Sequence, residues 1–342
     1  MQRVRFGRTE LMVSRIALGG IPLMRVSQEE AVAVVREALA LGVNFIDTAN
    51  AYASSEAKIG KAIRGVPREE LVLATKSLAN SAPVLSQHLD NSLRMLGVDY
   101  VDIFQLHNVS SQEGIDAVCA EQGSLTWLDE QVKAGKVRFP AFSSHSVTIA
   151  LSLMQTNAFD AVQLPLNFID REAVQAVSLA RTLDMGFIAM KPLGGGLLEN
   201  PSLAFRYLLQ FEDIVPDPGI EKLAEIREIA ALVETNEGLS AADEAEIARL
   251  REELGATWCH RCDYCQPCPE GIPISSVLVV KSTFKRFNAE RAHALADKAI
   301  ARARNCTECG TCLPRCPYHL AIPQLLKENL AYVDAAQWKS EI

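Results

Sequence analysis

Three apolar runs each end on a residue that can carry a charge or a proton. "VNFID" ends on Asp47, "LVLATK" on Lys76 and "VDIFQLH" on His107, while Tyr52 follows Asp47 within "TANAY". These types complement one another. A phenol with its ordinary pKa of about 10 is a poor acid at neutral pH. A nearby ammonium stabilises the phenolate and lowers that pKa, and a carboxylate paired with the ammonium keeps it charged and in place. An imidazole beside the phenol can orient a carbonyl and share its proton. Asp47, Tyr52, Lys76 and His107 together make a general acid aimed at a carbonyl oxygen while a hydride reaches the carbon.

A second chemistry lies near the end of the chain. "CHRCDYCQPCP" (Cys259–Pro269) and "CTECGTCLPRCP" (Cys306–Pro317) hold eight of the nine cysteines. The run Cys306-x₂-Cys309-x₂-Cys312-x₃-Cys316-Pro317 has the bacterial ferredoxin spacing for a [4Fe–4S] cluster. The run Cys259-x₂-Cys262-x₂-Cys265-x₂-Cys268-Pro269 is one residue shorter before its last cysteine. Zinc is the alternative, since C-x₂-C pairs are zinc ligands, but three closely spaced thiols suit three corners of a cubane better. In two-cluster ferredoxins the fourth cysteine of a run serves the other cluster. Carried over, Cys259, Cys262 and Cys265 share a cluster with Cys316, and Cys306, Cys309 and Cys312 share one with Cys268. Cys119 stands apart and is read as a small buried apolar residue.

The elements that position these groups are legible as short apolar, β-branched-rich stretches alternating with helical patterns. Strands are expected at Ile16–Leu18, Val43–Asp47, Leu71–Lys76, Val101–His107, Val137–Ser143, Ala161–Leu164, Gly186–Met190 and Asp213–Pro216. The intervening "SQEEAVAVVREALALG" carries Ser27 and Glu30 as a capping box and stops at Gly42. Eight such units predict an α/β protein with a (β/α)₈ TIM barrel, and Arg3–Ser14 is placed as a hairpin plugging its N-terminal end. A doubly wound sheet would want a G-x-G-x-x-G turn after its first strand, which "LGGIP" lacks. A barrel requires its chemistry at the C-terminal ends of strands. Beyond the four residues above, Ser143–His145, Gln163 and Lys191 meet that demand.

"NFIDTANAY", "LVLATK", "LGVDYVDIFQLHN" and "AVQLPLNFIDRE" resemble the aldo-keto reductases in order and spacing. The resemblance spans about residues 1–235. It implies a barrel that binds NAD(P)H without a Rossmann fold and that interconverts a carbonyl and an alcohol. Asp47, Tyr52, Lys76 and His107 match that family's catalytic tetrad. Ser143 and Gln163 are implied to hold the nicotinamide carboxamide. Ser144 replaces a usual Asn, and Lys191 falls where many members stack an aromatic ring. Gly20, Leu193, Gly219 and Ile220 complete the implied dinucleotide contacts. Glu228 matches an adenine-binding Glu. Glu221 lies where a cation for the 2′-phosphate of NADP is common, with Lys222 adjacent. A carboxylate repels that phosphate and accepts hydrogen bonds from a ribose diol, but a first-turn acid also suits any helix N-terminus. NAD and NADP both stay open.

After residue 235 the barrel pattern stops. Residues 236–255 read as a helical connector starting at Ser240, with Asp243 and Glu244 in its first turn. Between the cysteine runs, "SSVLVVKSTFKRFNAERAHALADKAIARA" reads as helix, so residues 256–342 resemble a small α-helical ferredoxin-like iron–sulfur domain with two [4Fe–4S] clusters. The whole chain resembles a bacterial and archaeal aldo-keto reductase branch with such a C-terminal module. In ordinary members the C-terminal tail covers the substrate mouth, which gives the module three readings: lid, docking site for a redox partner protein, or redox sensor. The alternative is a one-electron relay whose barrel is a nucleotide-binding platform. A hydride carries two electrons and a cluster passes one, and no flavin motif is present to convert between them.

Composition narrows the partners. The 342 residues are 49% apolar, enough for a sizeable core, and the net charge of −8 offers no footprint for nucleic acid or acidic membranes. The first 20 residues lack the apolar region of a signal peptide, and no run approaches a membrane span. A reducing cytoplasm is expected, where clustered cysteines bind metal rather than form disulfides. Sugars, short aldehydes and ketoacids all remain as substrates.

Overall fold

The computed structural model describes residues 1–335. A hairpin of β1 (Arg3–Arg5) and β2 (Met12–Ser14) comes first in the chain. An eight-stranded parallel sheet forms the centre: β3 (Ala17–Gly19), β4 (Phe45–Asp47), β5 (Val72–Ser77), β6 (Val101–Leu106), β7 (Val137–Ser143), β8 (Ala161–Pro165), β9 (Gly186–Met190) and β10 (Ile214–Asp217), each paired with the next in sequence. A parallel bridge between Gly19 and Gly219 joins the last strand's end to the first. The result is a nearly closed (β/α)₈ barrel. Every residue of β5 and β6 is buried, which is why they read as near-continuous apolar runs.

In the hairpin, Arg3 pairs with Ser14. Phe6, Leu11 and Val13 join one apolar cluster with Ala17, Phe45, Ala74, Ile103, Ala141, Ala161, Ile188 and Val215. One residue from each barrel strand therefore meets the plug. Side chains on a strand alternate faces, so the residues two positions further on also point inward. Those are Gly19, Asp47, Lys76, Gln105, Ser143, Gln163, Met190 and Asp217. The pleat thus stacks a layer rich in polar groups directly above an apolar one.

The helix Gln28–Ala40 starts with a reciprocal Ser27–Glu30 capping box. Six of the eight barrel strands differ from the sequence reading at an end, by one or two residues, among them β6, which stops at Leu106 and leaves His107 in the following turn. β4 starts at Phe45 rather than Val43, and β10 runs through Asp217 rather than stopping at Pro216. The shift in β10 moves Asp217 from the loop into the polar layer. Cys119 is exposed, contrary to expectation, because it ends the helix Gln112–Cys119, whose buried face carries Val118.

The chain divides into two compact units. Met1–Leu193 with Asn200–Gly238 form the barrel, and Gly194–Glu199 cluster with the segment from Leu239 onward. In the second unit, the helix Ala241–Gly255 is capped by Ser240 and Asp243. The helices Ile274–Leu278, Val280–Arg286, Ala289–Ala303 and Ile322–Ala335 follow. Gly194, Gly195 and Gly196 all have positive φ, at 59°, 72° and 89°. A Cβ at Gly194 would lie 2.4 Å from the Trp258 ring, so both conformation and space demand glycine there. Among the described residues no helix is long and apolar enough to cross a membrane.

Phe6 is 2% exposed. Phe6→Ala removes the aromatic plug beneath the barrel. It should cost about 3–5 kcal/mol of barrel stability in denaturant unfolding, as aromatic-to-alanine changes in cores usually do. A loss under about 1 kcal/mol would show that the plug is not integral to the core.

Candidate active site and cysteine centres

Asp47 and Lys76 end adjacent strands and form an ion pair through Lys76 Nζ and Asp47 Oδ2, both side chains almost fully buried. Asp47 Oδ1 accepts from Gln105 Nε2 at 2.9 Å, and Oδ2 accepts from Gln163 Nε2 at 3.3 Å. The carboxylate is thereby held at both oxygens. Burial alone would lower the Lys76 pKa. The negative charge of Asp47, with smaller contributions from Tyr52 and Asp217, outweighs it and holds the ammonium above its ordinary value. Lys76 is accordingly a fixed cation.

That cation faces the phenol. Lys76 Nζ lies 5.4 Å from the Tyr52 ring centroid. The His107 ring meets Tyr52 edge-on, with centroids 6.0 Å apart. All four sequence-selected residues thus come together in one place. The turns that deliver them are strained: Ala53, directly after Tyr52, has φ 44°, and Asn108, directly after His107, has φ 65°. Left-handed backbone at a non-glycine residue costs on the order of 1–3 kcal/mol and is typical of functional sites.

The residues assigned to the dinucleotide are distributed as follows. Ser143 Oγ accepts from Asn108 N–H at 2.9 Å, which ties the strand end to the loop after His107. Ser144 Oγ lies 3.1 Å from Ser110 Oγ and donates to Ser146 O at 3.0 Å. Gln163 Nε2 points into the carboxylates rather than outward. Gly20 donates its N–H to Asp47 O at 2.7 Å, and a Cβ there would meet Ser55 Oγ at 2.8 Å. Lys191 has φ 58°, and its carbonyl is held by Asn167 Nδ2 at 3.1 Å. Among the described residues its Nζ is buried without a hydrogen-bond partner, an orphaned cation suited to an anionic or carbonyl group of a ligand. Leu193 is half-buried, Ile220 is buried, and Gly219 is exposed beside the barrel seam.

At the adenine end, Glu221 is in an ion pair with Arg25 at 2.6 Å. The carboxylate of Glu225 accepts from the N–H groups of both Glu221 and Lys222, at 2.9 and 3.1 Å. Glu228 is exposed on the helix Leu223–Thr235 that follows. Sequence reasoning did not single out Arg25, Gln105 or Asp217. Arg25 lies far from Glu221 in the chain. Gln105 and Asp217 were findable, because each stands two residues beyond an inward apolar residue on its strand.

The eight clustered cysteines line two cavities. Cys259, Cys262, Cys265 and Cys316 share one with Leu278 and Ile322. Cys268, Cys306, Cys309 and Cys312 share the other with Ile274 and Leu326. The last thiol of each run lies in the other run's cavity. A local device turns Cys268 away from its own run: Gln266 Oε1 accepts from Cys268 N–H at 2.9 Å while Gln266 Nε2 donates to Ile272 O at 2.9 Å. The loops share a conformation. Arg261 and Asp263 have φ 59° and 58°, and Glu308 and Gly310, at the same offsets after the first cysteine, have φ 55° and 73°. Alternating left-handed residues turn backbone N–H groups toward one centre, a nest of the kind found around iron–sulfur sites. Burial pushes the Cys259 and Cys265 thiols up to about 12. Ionising them as ligands needs the positive charge that a metal core brings, and the donor set fits one.

A (β/α)₈ barrel with this mouth, followed by two four-thiol cavities, defines an oxidoreductase class, and the chain belongs to the aldo/keto reductase family. The family's profile matches residues 15–205, and that of the 4Fe-4S dicluster domain matches residues 258–321. The chain is 30% identical over 233 residues to the oxidoreductase YrpG of Bacillus subtilis, covering 59% of this chain and 70% of that protein. It is 30% identical over 211 residues to L-galactose dehydrogenase of Arabidopsis thaliana, covering 56% and 65% respectively, just under two thirds of that relative's length. Solved structures share the barrel. The holo aldo-keto reductase AKR11C1 of Bacillus halodurans aligns at TM-score 0.64 and 22% identity, covering 73% of this chain and 96% of that one. A Klebsiella pneumoniae aldo-keto reductase in complex with NADPH aligns at TM-score 0.60 and 22% identity, covering 73% and 95%.

The crossed lining predicts a distinctive mutant pattern. Cys268→Ser should lower the iron bound with Cys306, Cys309 and Cys312 and leave the other centre largely intact, whereas Cys259→Ser should do the reverse. Anaerobic iron counting with electron paramagnetic resonance on the single and double variants reads this out. If both substitutions hit the same centre, each run closes its own site. Four-coordinate zinc in anaerobically prepared protein would reject clusters altogether.

Proposed function

We propose that the protein interconverts a carbonyl and an alcohol with a nicotinamide dinucleotide, Tyr52 acting as the acid and the Fe–S module serving as lid, docking site or redox sensor. The observation that carries this reading is the convergence of Tyr52, His107 and the buried Lys76–Asp47 pair at one end of the barrel. The bound dinucleotide supplies the hydride. Gly20, Ser143, Ser144, Gln163, Lys191 and Leu193 would hold its nicotinamide half, and Gly219, Ile220, Glu221 and Glu228 its adenosine half. Tyr52 donates its proton to the carbonyl oxygen as negative charge develops there. Lys76 stabilises the phenolate left behind, and Asp47 keeps Lys76 in place. His107, edge-on to Tyr52, orients the carbonyl. In the reverse direction the phenolate takes the alcohol proton.

The alternative, a one-electron relay with the barrel as a platform, has no use for a buried cation aimed at a tyrosine. NAD(P)H oxidation over a panel of carbonyls, with the clusters intact and then removed, separates the two. Each cavity holds a [4Fe–4S] cluster on this reading, and where the module is a docking site its partner is a redox protein. A reducing cytoplasm is the compartment that suits eight clustered thiols.

Tyr52→Phe should reduce single-turnover hydride transfer by roughly 10²–10⁴-fold, the usual share of general acid catalysis, and leave dinucleotide affinity nearly unchanged. Wild-type transfer in this variant would sink the assignment.

The Arg25–Glu221 pair sets the cofactor preference on the same reading. The Glu221 carboxylate, paired with Arg25, repels a 2′-phosphate, so NAD should bind more tightly than NADP. Glu221→Gln removes that negative charge and should shift the affinity ratio toward NADP by about tenfold, the worth of one charge-assisted interaction. Fluorescence titration with both dinucleotides decides. Tighter NADP binding to the unaltered protein would show that another cation grips the phosphate.

A further inference from the structure

The polar layer of the barrel holds two carboxyl groups, Asp47 and Asp217, and one ammonium, Lys76. Asp47 is accounted for by Lys76, Gln105 and Gln163. Asp217 is not. Its Oδ2 accepts from Gln163 Nε2 at 3.1 Å, the same nitrogen that reaches Asp47 Oδ2 at 3.3 Å. One amide group therefore bridges the two carboxyl groups and brings them into each other's immediate field. The Oδ1 atom of Asp217 is buried with no hydrogen-bond partner among the described residues. A Cβ built on Gly19 would lie 2.9 Å from that oxygen, so a residue without a side chain faces it. On the other side, Asp217 pairs in register with Met190, which carries no charge. The ionisable groups facing Asp217 are thus Asp47 on β4 and Lys76 on β5, with none from β3, β8 or β9 among the described residues.

Two buried carboxylates cannot share one ammonium without leaving a net buried negative charge. A group in that position neutralises by binding a proton instead. We propose that Asp217 works as a neutral carboxylic acid, a positioning residue that holds one proton beside Asp47 and fixes the side-chain amide of Gln163. Burial first, and the charge of Asp47 second, push its carboxyl well above the ordinary carboxylate range, against the pull of Lys76. The proton on Asp217 leaves Asp47 as the single anion on Lys76, so the ammonium is available to the Tyr52 phenolate. When Asp217 ionises, a second negative charge enters the field of Lys76 and Tyr52. The phenolate is then disfavoured and Tyr52 becomes a weaker acid, so turnover falls on the alkaline side.

The kinetic half rests on the reading of Tyr52 as the acid, and the test therefore includes a readout that needs no turnover. Infrared spectra of the full-length protein at neutral pH should show a protonated-carboxyl C=O stretch that Asp217→Asn abolishes and that fades in the wild type as pH rises. Burial also raises the carboxyl of Glu56, which accepts from Thr75 Oγ1 at 2.6 Å, so Glu56→Gln serves as the control that must leave this band in place. A spectrum with no protonated carboxyl assignable to Asp217 at neutral pH overturns the proposal, and titration of the Glu56→Gln protein, which lacks the other raised carboxyl, decides the point if the Asn variant does not fold. Asn mimics the neutral acid in shape. Asp217→Asn should therefore keep turnover within a few-fold at neutral pH and show a shifted alkaline decline, set by the ionisation of Tyr52 alone. An Asn variant with the wild-type alkaline limb overturns the positioning role. A protein that reduces no carbonyl at all rejects the Tyr52 reading and leaves the infrared result to stand by itself.

Discussion

The barrel is organised around one buried ion pair. Taking Lys76 and Asp47 out of water is costly, and mutual attraction offsets the cost only when geometry and extra hydrogen bonds satisfy both ions. Here two glutamine amides complete the coordination of Asp47. Removing either ion would strand the other, a loss of about 3–5 kcal/mol in comparable sites. The pair can exist because β4 and β5 lie side by side, with Asp47 in register with Ala74, two residues before Lys76. Tyr52 depends on it in turn, since its ring faces the cation that the pair keeps charged.

Below that layer the barrel is apolar. Phe6 and the strand residues around it fill the lower half with packed apolar side chains beneath the polar groups. Low dielectric strengthens each satisfied interaction and penalises each unsatisfied one. The same physics explains the strained backbone at Ala53, Asn108 and Lys191. Each directly follows a strand or a site residue, and the packed barrel beneath over-determines the turn.

The second unit solves a different problem. Six of its eight clustered cysteines, all but Cys262 and Cys309, belong to an apolar cluster with Ile272, Ile274, Val277, Leu320 and Ile322, so most of the thiols are part of the small core as well as candidate ligands. A core of that size contributes little alone, and a domain so built gains stability from bound metal. Crossed cavities add a topological tie, because each draws thiols from both runs.

The eight-unit alternation, the hairpin, the helix caps at Ser27 and Ser240 and the two cysteine runs were all readable in the chain. Each rests on local chemistry: period-2 burial, a side chain reaching its own helix terminus, or ligands a few residues apart. The four residues of the mouth were readable too, because a barrel places chemistry at strand ends. What the sequence by itself did not determine was which inward residues meet across the barrel. A strand that stops at Pro216 puts Asp217 in a loop, and Gln105 reads as strand interior. Cysteine is usually a core residue, yet Cys119 is exposed. Arg25 and Glu221 meet only because barrel closure brings the first and last strands together. Those outcomes depend on register, closure and helix rotation, which sum weak packing terms over the whole molecule, and only the tertiary structure decides them.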